Sequence, residues 1–188
     1  MEIVEERSRI KKEPSVLRTF RISSELDRAL TRNAAQKKIG KNALLVSIFN
    51  KYLEWHSVVE DFGYLSVPRQ MVTSLIEGLD KESVSFVARL VGKEVASSLP
   101  VWFGSADLDS LLKYLDTSVR YSGANVQHRV EKLGKLTRIV IYQPFNEKGA
   151  AWVRGFNTGL IENALGYPPK IVEHANSIEI IIESKESE

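Results

Sequence analysis

The N-terminal third of the chain shows the apolar pattern of one strand followed by two helices. Residues 15–22 carry strand-forming side chains in partial alternation, which predicts a short strand. Apolar side chains then recur every three or four positions, which predicts helices over residues 24–38 and 41–61. Two serines followed by acidic residues are typical of the start of the first helix, and Gly40 is expected to end it.

The pattern after residue 63 predicts a larger domain that begins with helices. Residues 64–67 fit either a short strand or an extended linker. Three helices are expected next, over residues 69–79, 81–98 and 107–121. Between the last two, residues 100–104 are expected to form an apolar loop.

The remaining residues alternate between strand and helix patterns. We expect two strands, a helix and a closing hairpin, over residues 126–130, 137–142, 147–165, 170–174 and 177–183. The order of these elements predicts an α+β domain with a mainly antiparallel sheet over residues 63–188.

The composition narrows the class of protein. A chain of 188 residues suits one domain or two small ones. It contains no cysteine, which excludes disulfides, thiolate catalysis, zinc fingers and iron–sulfur clusters. No apolar stretch has the length of a membrane span, and the N-terminus lacks the pattern of a secretion signal, so we expect an intracellular protein without a membrane partner.

The charge is distributed unevenly along the chain. Residues 1–42 hold 11 Lys and Arg against 6 Asp and Glu, a balance of +5, and the rest hold 15 against 18, a balance of −3. Residues 1–14 are rich in charge and poor in apolar side chains, so we expect a flexible basic arm there. The asymmetry indicates two parts with different partners.

The predicted strand and two helices over residues 15–62 are too small to enclose a core of their own. A lone strand would also leave its backbone groups without partners. A homodimer solves both problems, because two copies of the strand can pair antiparallel above four helices. A two-stranded ribbon of this kind fits the major groove of DNA.

Residues 15–56 resemble the ribbon-helix-helix family of Arc-, MetJ- and CopG-type repressors. The resemblance is carried by Phe20-Arg21-Ile22-Ser23, Leu26, Leu30, Ala34, Ile39-Gly40-Lys41-Asn42-Ala43 and Tyr52. It implies an obligate dimer that binds double-stranded DNA sequence-specifically and regulates transcription, in the cytoplasm at the nucleoid.

The resemblance also implies which residues contact DNA. Outward strand side chains read base edges in this family, and the matching positions are Leu17, Thr19 and Arg21. A shift of one residue would bring Arg18 towards the DNA instead. The start of the second helix holds a phosphate through backbone N–H groups, and the matching positions are Gly40, Lys41 and Asn42.

The C-terminal domain carries a candidate ligand pocket. Gly155 and Gly159 lie four positions apart in the last predicted helix, which indicates either close approach of a neighbouring element or a ligand against the bare backbone. The pattern from Gly155 to Gly166 is similar to 4-vinyl-reductase-type small-molecule-binding domains, which implies a small effector. The candidate pocket residues are Trp102, Tyr121, Tyr142, Trp152, Gly155 and Gly159.

The sequence offers no arrangement for catalysis or metal binding. The three histidines, His56, His128 and His174, lack metal-ligand spacing, and no phosphate loop or nucleophile motif is present. We therefore expect no enzyme activity, no metal and no cofactor. Two other functions stay open: an antitoxin-like module that binds DNA and a protein, and a ligand-binding α+β protein whose N-terminal helices only dimerise. In the regulator hypothesis, the C-terminal domain is also a candidate for further dimerisation, up to a tetramer.

Overall fold

The computed structural model describes residues 16–123, 126–142, 146–174 and 176–183. The chain divides into two compact units, Met1–Ser47 and Ile48–Glu188. Each unit has its own cluster of buried apolar side chains. The predicted basic arm over residues 1–14 lies outside the described residues. Helices and an antiparallel sheet together confirm the α+β class.

The first helix of the N-terminal unit begins where the sequence predicts. Helix α1 spans Ser24–Gln36, and the side chain of Ser23 accepts a hydrogen bond from the Leu26 N–H at 3.2 Å. The N-cap thus satisfies one of the free donors of the first turn.

The end of α1 differs from the prediction, because Lys38 and not Gly40 takes the left-handed conformation, with φ 55°. The Ile39 N–H donates to the Ala34 carbonyl at 3.0 Å and the Lys38 N–H to the Ala35 carbonyl at 3.1 Å. This bond pair is a Schellman motif, which satisfies carbonyls of the last turn. The expectation that Gly40 ends the helix is therefore wrong.

The second predicted helix is interrupted by a wider turn. Helix α2 spans Lys41–Lys51, a π-helical turn spans Tyr52–His56, and helix α3 spans Ser57–Asp61. A π-helical turn contains more residues than an α-helical one, so it shifts which side chains face inward. In this turn Trp55 is buried, whereas Tyr52, one of the residues that carry the family resemblance, is exposed.

Two segments with a strand pattern do not form strands in the described structure. Residues 16–23 are one of them, so the predicted strand is not present within a single copy of the chain. A strand there needs a second strand to pair with, and the ribbon stays a prediction. Residues 64–67 are also outside any strand, which favours the extended linker over the short strand.

The helices of the C-terminal unit follow the prediction closely at their starts. Helices α4, α5, α6 and α7 span Arg69–Gly78, Lys81–Phe103, Leu108–Tyr121 and Glu147–Leu165. Asp80, Asp107 and Asn146 cap the last three, and each side chain accepts a backbone N–H three residues further on. Short polar acceptors at the N-cap are among the most local helix signals, which is why the sequence predicted where these helices begin.

The expected apolar loop over residues 100–104 is wrong, because α5 continues through Pro100 to Phe103. A proline removes one intrahelical hydrogen bond. Gly104 then ends the helix in a left-handed conformation with φ 86°, and its N–H donates to the Pro100 carbonyl at 2.9 Å. The rings of Trp102 and Phe103 stack with centroids 5.2 Å apart, and both side chains are half-buried against the core, so packing compensates for the lost bond.

A four-stranded antiparallel sheet completes the unit. Strands β1, β2, β3 and β4 span Gln127–Leu133, Leu136–Tyr142, Lys170–His174 and Ser177–Glu183, in the spatial order β1-β2-β4-β3. The predicted apolar run is the central strand β2, as expected. Alternate residues of β2 and β4, including Ile139, Ile141 and Ile180, are buried with side chains of α5, α6 and α7. The helices therefore cover one face of the sheet.

Candidate functional site

The segment that resembles a DNA-reading strand is fully accessible. All side chains from Val16 to Ile22 are exposed, and Leu17 is 86% exposed. The Arg18 guanidinium donates to the Leu17 carbonyl at 3.2 Å. Thr19 and Arg21 lie on the same stretch. A segment with two guanidinium groups and accessible backbone has the chemistry to bind phosphates and base edges.

The junction between α1 and α2 presents an open helix start. The Gly40 carbonyl accepts the Leu44 N–H at 3.0 Å, so Gly40 directly precedes the first turn of α2. A Cβ added to Gly40 would meet no atom within 4 Å. The first N–H groups of a helix have no intrahelical acceptor and lie at the positive end of its dipole. The exposed residues Lys41 and Asn42 are therefore at a position suited to an anion.

Lys41 has an anionic neighbour within the same unit. Its Nζ lies 3.0 Å from Oδ1 of Asp27, and both side chains are about half exposed. Exposed ion pairs contribute little free energy. The ammonium can therefore exchange this carboxylate for a phosphate at small cost.

The N-terminal unit buries very few apolar side chains. Only Leu30, Ala34 and Leu44 are buried among its described residues, with Leu45 packed against them. Other large apolar side chains of the unit are exposed, namely Val16, Leu17, Phe20, Ile22, Leu26, Ile39 and Val46. A core of three side chains is too small to stabilise a fold. We call these seven exposed residues the apolar surface of the N-terminal unit.

Part of the candidate ligand pocket lies in an aromatic cluster of the C-terminal unit. The Trp102 ring centroid is 5.5 Å from that of Trp55, 5.6 Å from that of Tyr114 and 5.2 Å from that of Phe103. Burial raises the pKa of the Tyr114 hydroxyl well above its usual range, and the nearby Tyr64 adds to this effect. The sequence did not point to Trp55 or Tyr114. Trp55 lies in the π-helical turn, which the sequence did not predict, and Tyr114 lies among the apolar side chains of α6, where it is not distinguished from other core residues.

An open groove beside this cluster contains charged side chains. Its lining includes Glu54, Trp102, Phe103, Lys113 and Arg120. The Tyr121 hydroxyl donates to the Glu54 carboxylate at 2.9 Å. Two of the candidate pocket residues therefore belong to one surface: Trp102 lines this groove, and Tyr121 contacts its lining residue Glu54.

The other candidate pocket residues are not brought to this groove. Tyr142 is exposed at the end of β2, on the face opposite to Ile141. Trp152 is half-buried on α7.

Gly155 and Gly159 are explained by close approach of helix α5. A Cβ on Gly155 would lie well inside contact distance of the Ser85 carbonyl oxygen, and one on Gly159 would do the same at the Arg89 carbonyl. Gly92 of α5 has the reciprocal relation to the Phe156 carbonyl of α7. No room is left for a ligand between these backbones, so these two glycines are excluded from a pocket there.

The described residues contain no group of three or more His, Asp and Glu side chains placed to hold a metal ion. None of the helices in this part of the chain has the length and apolarity needed to cross a membrane. No protein-family model matches the chain. The search for similar curated proteins likewise gave no match.

Proposed function

We propose that the protein is a dimeric, sequence-specific DNA-binding regulator of transcription. Residues 16–22 of two chains pair as an antiparallel ribbon that enters the major groove. Thr19, Arg21 and Leu17 contact base edges, Arg18 and the start of α2 contact phosphates, and the C-terminal unit responds to a small effector.

The observation that carries this proposal is the apolar surface of the N-terminal unit. Seven large side chains are exposed around a core of only three buried ones. Burial of apolar area is the main term that stabilises a fold, at about 25 cal/mol per Å². A second copy of the unit supplies the missing burial and gives residues 16–22 the strand partner they need.

Charge and backbone geometry support DNA as the ligand of this dimer. Residues 1–42 carry a balance of +5, and a dimer doubles it. The open start of α2 at Gly40 provides backbone donors, and Arg21 can donate two hydrogen bonds to one guanine. Phosphate contacts position a protein on DNA and base contacts select the sequence, and both chemistries are present within residues 16–42.

The effector role belongs to the C-terminal unit. The groove beside Trp102 combines aromatic surface with Glu54, Lys113 and Arg120, which suits a small ligand that carries both an apolar body and charged groups. We expect such a metabolite to raise the Tm of the full-length protein but not that of Trp102→Ala, and the absence of any rise would argue against this assignment.

Salt-dependent DNA binding of the full-length protein tests the proposal. We expect affinity, measured by fluorescence anisotropy, to fall with salt at a log–log slope of about −0.9 per phosphate contact. Lys41→Ala should weaken binding to all sequences alike and reduce the slope by about one contact per subunit. The control is Lys51→Ala, at the other end of α2, which loses the same charge. DNA affinity that is undetectable at low salt refutes the proposal.

A further inference from the structure

The sheet of the C-terminal unit has a long edge at β1. Among the described residues, β2 is the only strand paired with β1, and β1 forms one edge of the sheet. Both β1 and the central strand β2 contain seven residues. An edge strand presents a row of unpaired N–H and C=O groups, which is a template for a further strand.

The β1–β2 hairpin determines which backbone groups are available at this edge. Its two-residue turn joins the paired residues Leu133 and Leu136, and a tight turn of this kind closes on a hydrogen-bonded pair. Bonded and non-bonded pairs alternate along antiparallel strands. His128, Val130 and Lys132 therefore direct their N–H and C=O groups away from β2, towards an added strand.

Charge distinguishes between the registers in which two copies of β1 can pair antiparallel. When pairing is centred on Val130, Arg129 of each copy lies opposite Glu131 of the other. A shift by one hydrogen-bonded step places Arg129 opposite Arg129 in one direction and Glu131 opposite Glu131 in the other. Opposite charges across a strand pair stabilise it and like charges destabilise it, so one register is favoured.

The side chains of this edge are arranged for that contact. Arg129 is 70% exposed, and its Nε lies 3.0 Å from the Glu131 carboxylate of the same chain. Arg138 also holds that carboxylate, at 3.1 Å, and so fixes it on the outer face of the sheet. On the other face, Lys132 is directed to Asp109, at 3.4 Å. Val130 is 36% exposed and would be covered by its copy.

The opposite edge of the sheet lacks this complementarity. Strand β3 has only five residues, Lys170–His174. Self-pairing centred on Val172 would place Lys170 opposite His174, as the β1 register places His128 opposite Lys132, so this pair does not distinguish the two edges. It would also place Ile171 opposite Glu173, so β3 offers no pair of opposite charges like Arg129 and Glu131. The self-complementary pattern therefore belongs to β1.

We propose that two copies of this chain pair through β1, antiparallel and centred on Val130, to form one continuous eight-stranded sheet. This interface lies within the C-terminal unit and does not depend on DNA binding. Loss of DNA binding would leave it in place, and its absence would leave the proposed ribbon untouched.

A distance measurement on the full-length protein tests the interface. The chain has no cysteine, so Leu133→Cys accepts a single nitroxide label per chain. In the proposed register the two labelled positions lie six residues apart along the paired strands, so pulsed dipolar EPR should give a narrow separation of about 20 Å. The two shifted registers would give about 14 Å or about 27 Å.

Charge reversal shows whether the separation arises from the proposed contact. Arg129→Glu should remove the label separation of about 20 Å, and combining it with Glu131→Arg should restore that separation. Lys170→Glu makes the same change of charge on the β3 edge and should have no effect. Thermal unfolding by circular dichroism verifies that each variant is folded. The proposal is overturned if the separation of about 20 Å is absent in the labelled parent protein or persists in Arg129→Glu. Neither outcome depends on whether the double variant folds.

Discussion

At the scale of single residues, three glycines determine how closely two helices approach. Gly92 of α5 and Gly155 and Gly159 of α7 each lie against a carbonyl oxygen of the other helix. A glycine in a helix interior costs about 1 kcal/mol relative to alanine. The close packing of α5 on α7 compensates for this cost.

Gly155→Ala should therefore destabilise the C-terminal unit by about 2 kcal/mol or more, because the new methyl group would overlap the Ser85 carbonyl. The matched control is Gly78→Ala at the end of α4, where an added Cβ meets no atom within 4 Å. That change should leave stability unchanged or raise it by up to about 1 kcal/mol. Chemical denaturation of both variants measures the difference, and equal stabilities would contradict the close approach.

Lys38 is the one described residue other than glycine with a positive φ, at 55°. Left-handed backbone costs an ordinary residue roughly 1–2 kcal/mol and costs glycine little. Lys38→Gly should therefore raise the free energy of unfolding by about 1 kcal/mol. Lys37→Gly is the control, because Lys37 has φ −83° and should gain nothing. A lower Tm for Lys38→Gly than for Lys37→Gly would be incompatible with the Schellman end of α1.

At the scale of elements, charged side chains connect all four strands on the outer face of the sheet. Arg138 of β2 contacts Glu179 of β4 at 2.6 Å and Glu131 of β1 at 3.1 Å. His174 of β3 lies 3.2 Å from the other oxygen of Glu179. The hydrogen bond from Arg138 lowers the pKa of Glu179, and His174 lowers it further. The hydrogen bonds to Glu179 and then to Glu131 raise the pKa of Arg138 in turn.

These contacts predict a particular dependence of stability on pH. Because the pKa of Glu179 is lower in the folded chain than its ordinary value of 4.5, the carboxylate stabilises the fold above that value. The contribution is lost as the pH falls through the lowered pKa. Glu179→Gln should thus reduce the acid-induced fall in Tm, whereas Glu183→Gln, at the end of the same strand, is the matched control. An acid profile that Glu179→Gln does not alter would argue against the network.

The elements that the sequence predicted well are those with local signals. Polar caps and the glycine at position 166 delimit α7 at the residues that the sequence indicated. Three features were missed because they depend on tertiary packing or on rare backbone conformations. They are the continuation of α5 past Pro100, the π-helical turn that buries Trp55, and the left-handed Lys38.

The candidate site shows the same division between local and long-range information. The helix start after Gly40 follows from neighbouring residues, and α2 begins at Lys41 as predicted. The segment around Arg21 is exposed but lies outside any strand, because a strand there needs a partner from another chain, so its contact with DNA stays a prediction. The pocket residues come from distant parts of the chain, and only Trp102 and Tyr121 lie at or beside one groove. The positions of the other candidate pocket residues depend on tertiary packing, which a local sequence pattern does not reveal.

At the scale of the whole molecule, two units of different character share one chain. The unit up to Ser47 buries three apolar side chains and exposes a basic and apolar surface, whereas the unit from Ile48 onward has an extended core between helices and sheet. A core of that size is too small to support a fold alone, whereas the larger core is not. This difference is the physical basis for proposing that the N-terminal unit forms the dimeric, DNA-binding ribbon.

Selection from randomised duplex DNA with the full-length protein tests the central claim most directly. We expect enrichment of a two-fold symmetric sequence, because two antiparallel copies of residues 16–22 present the same side chains to both half-sites. Arg21→Ala should cost about 1–3 kcal/mol and relax the base preference, whereas Arg32→Ala on α1, with the same loss of charge, should retain the motif. Failure to enrich any sequence, or an unchanged motif with Arg21→Ala, would contradict the account.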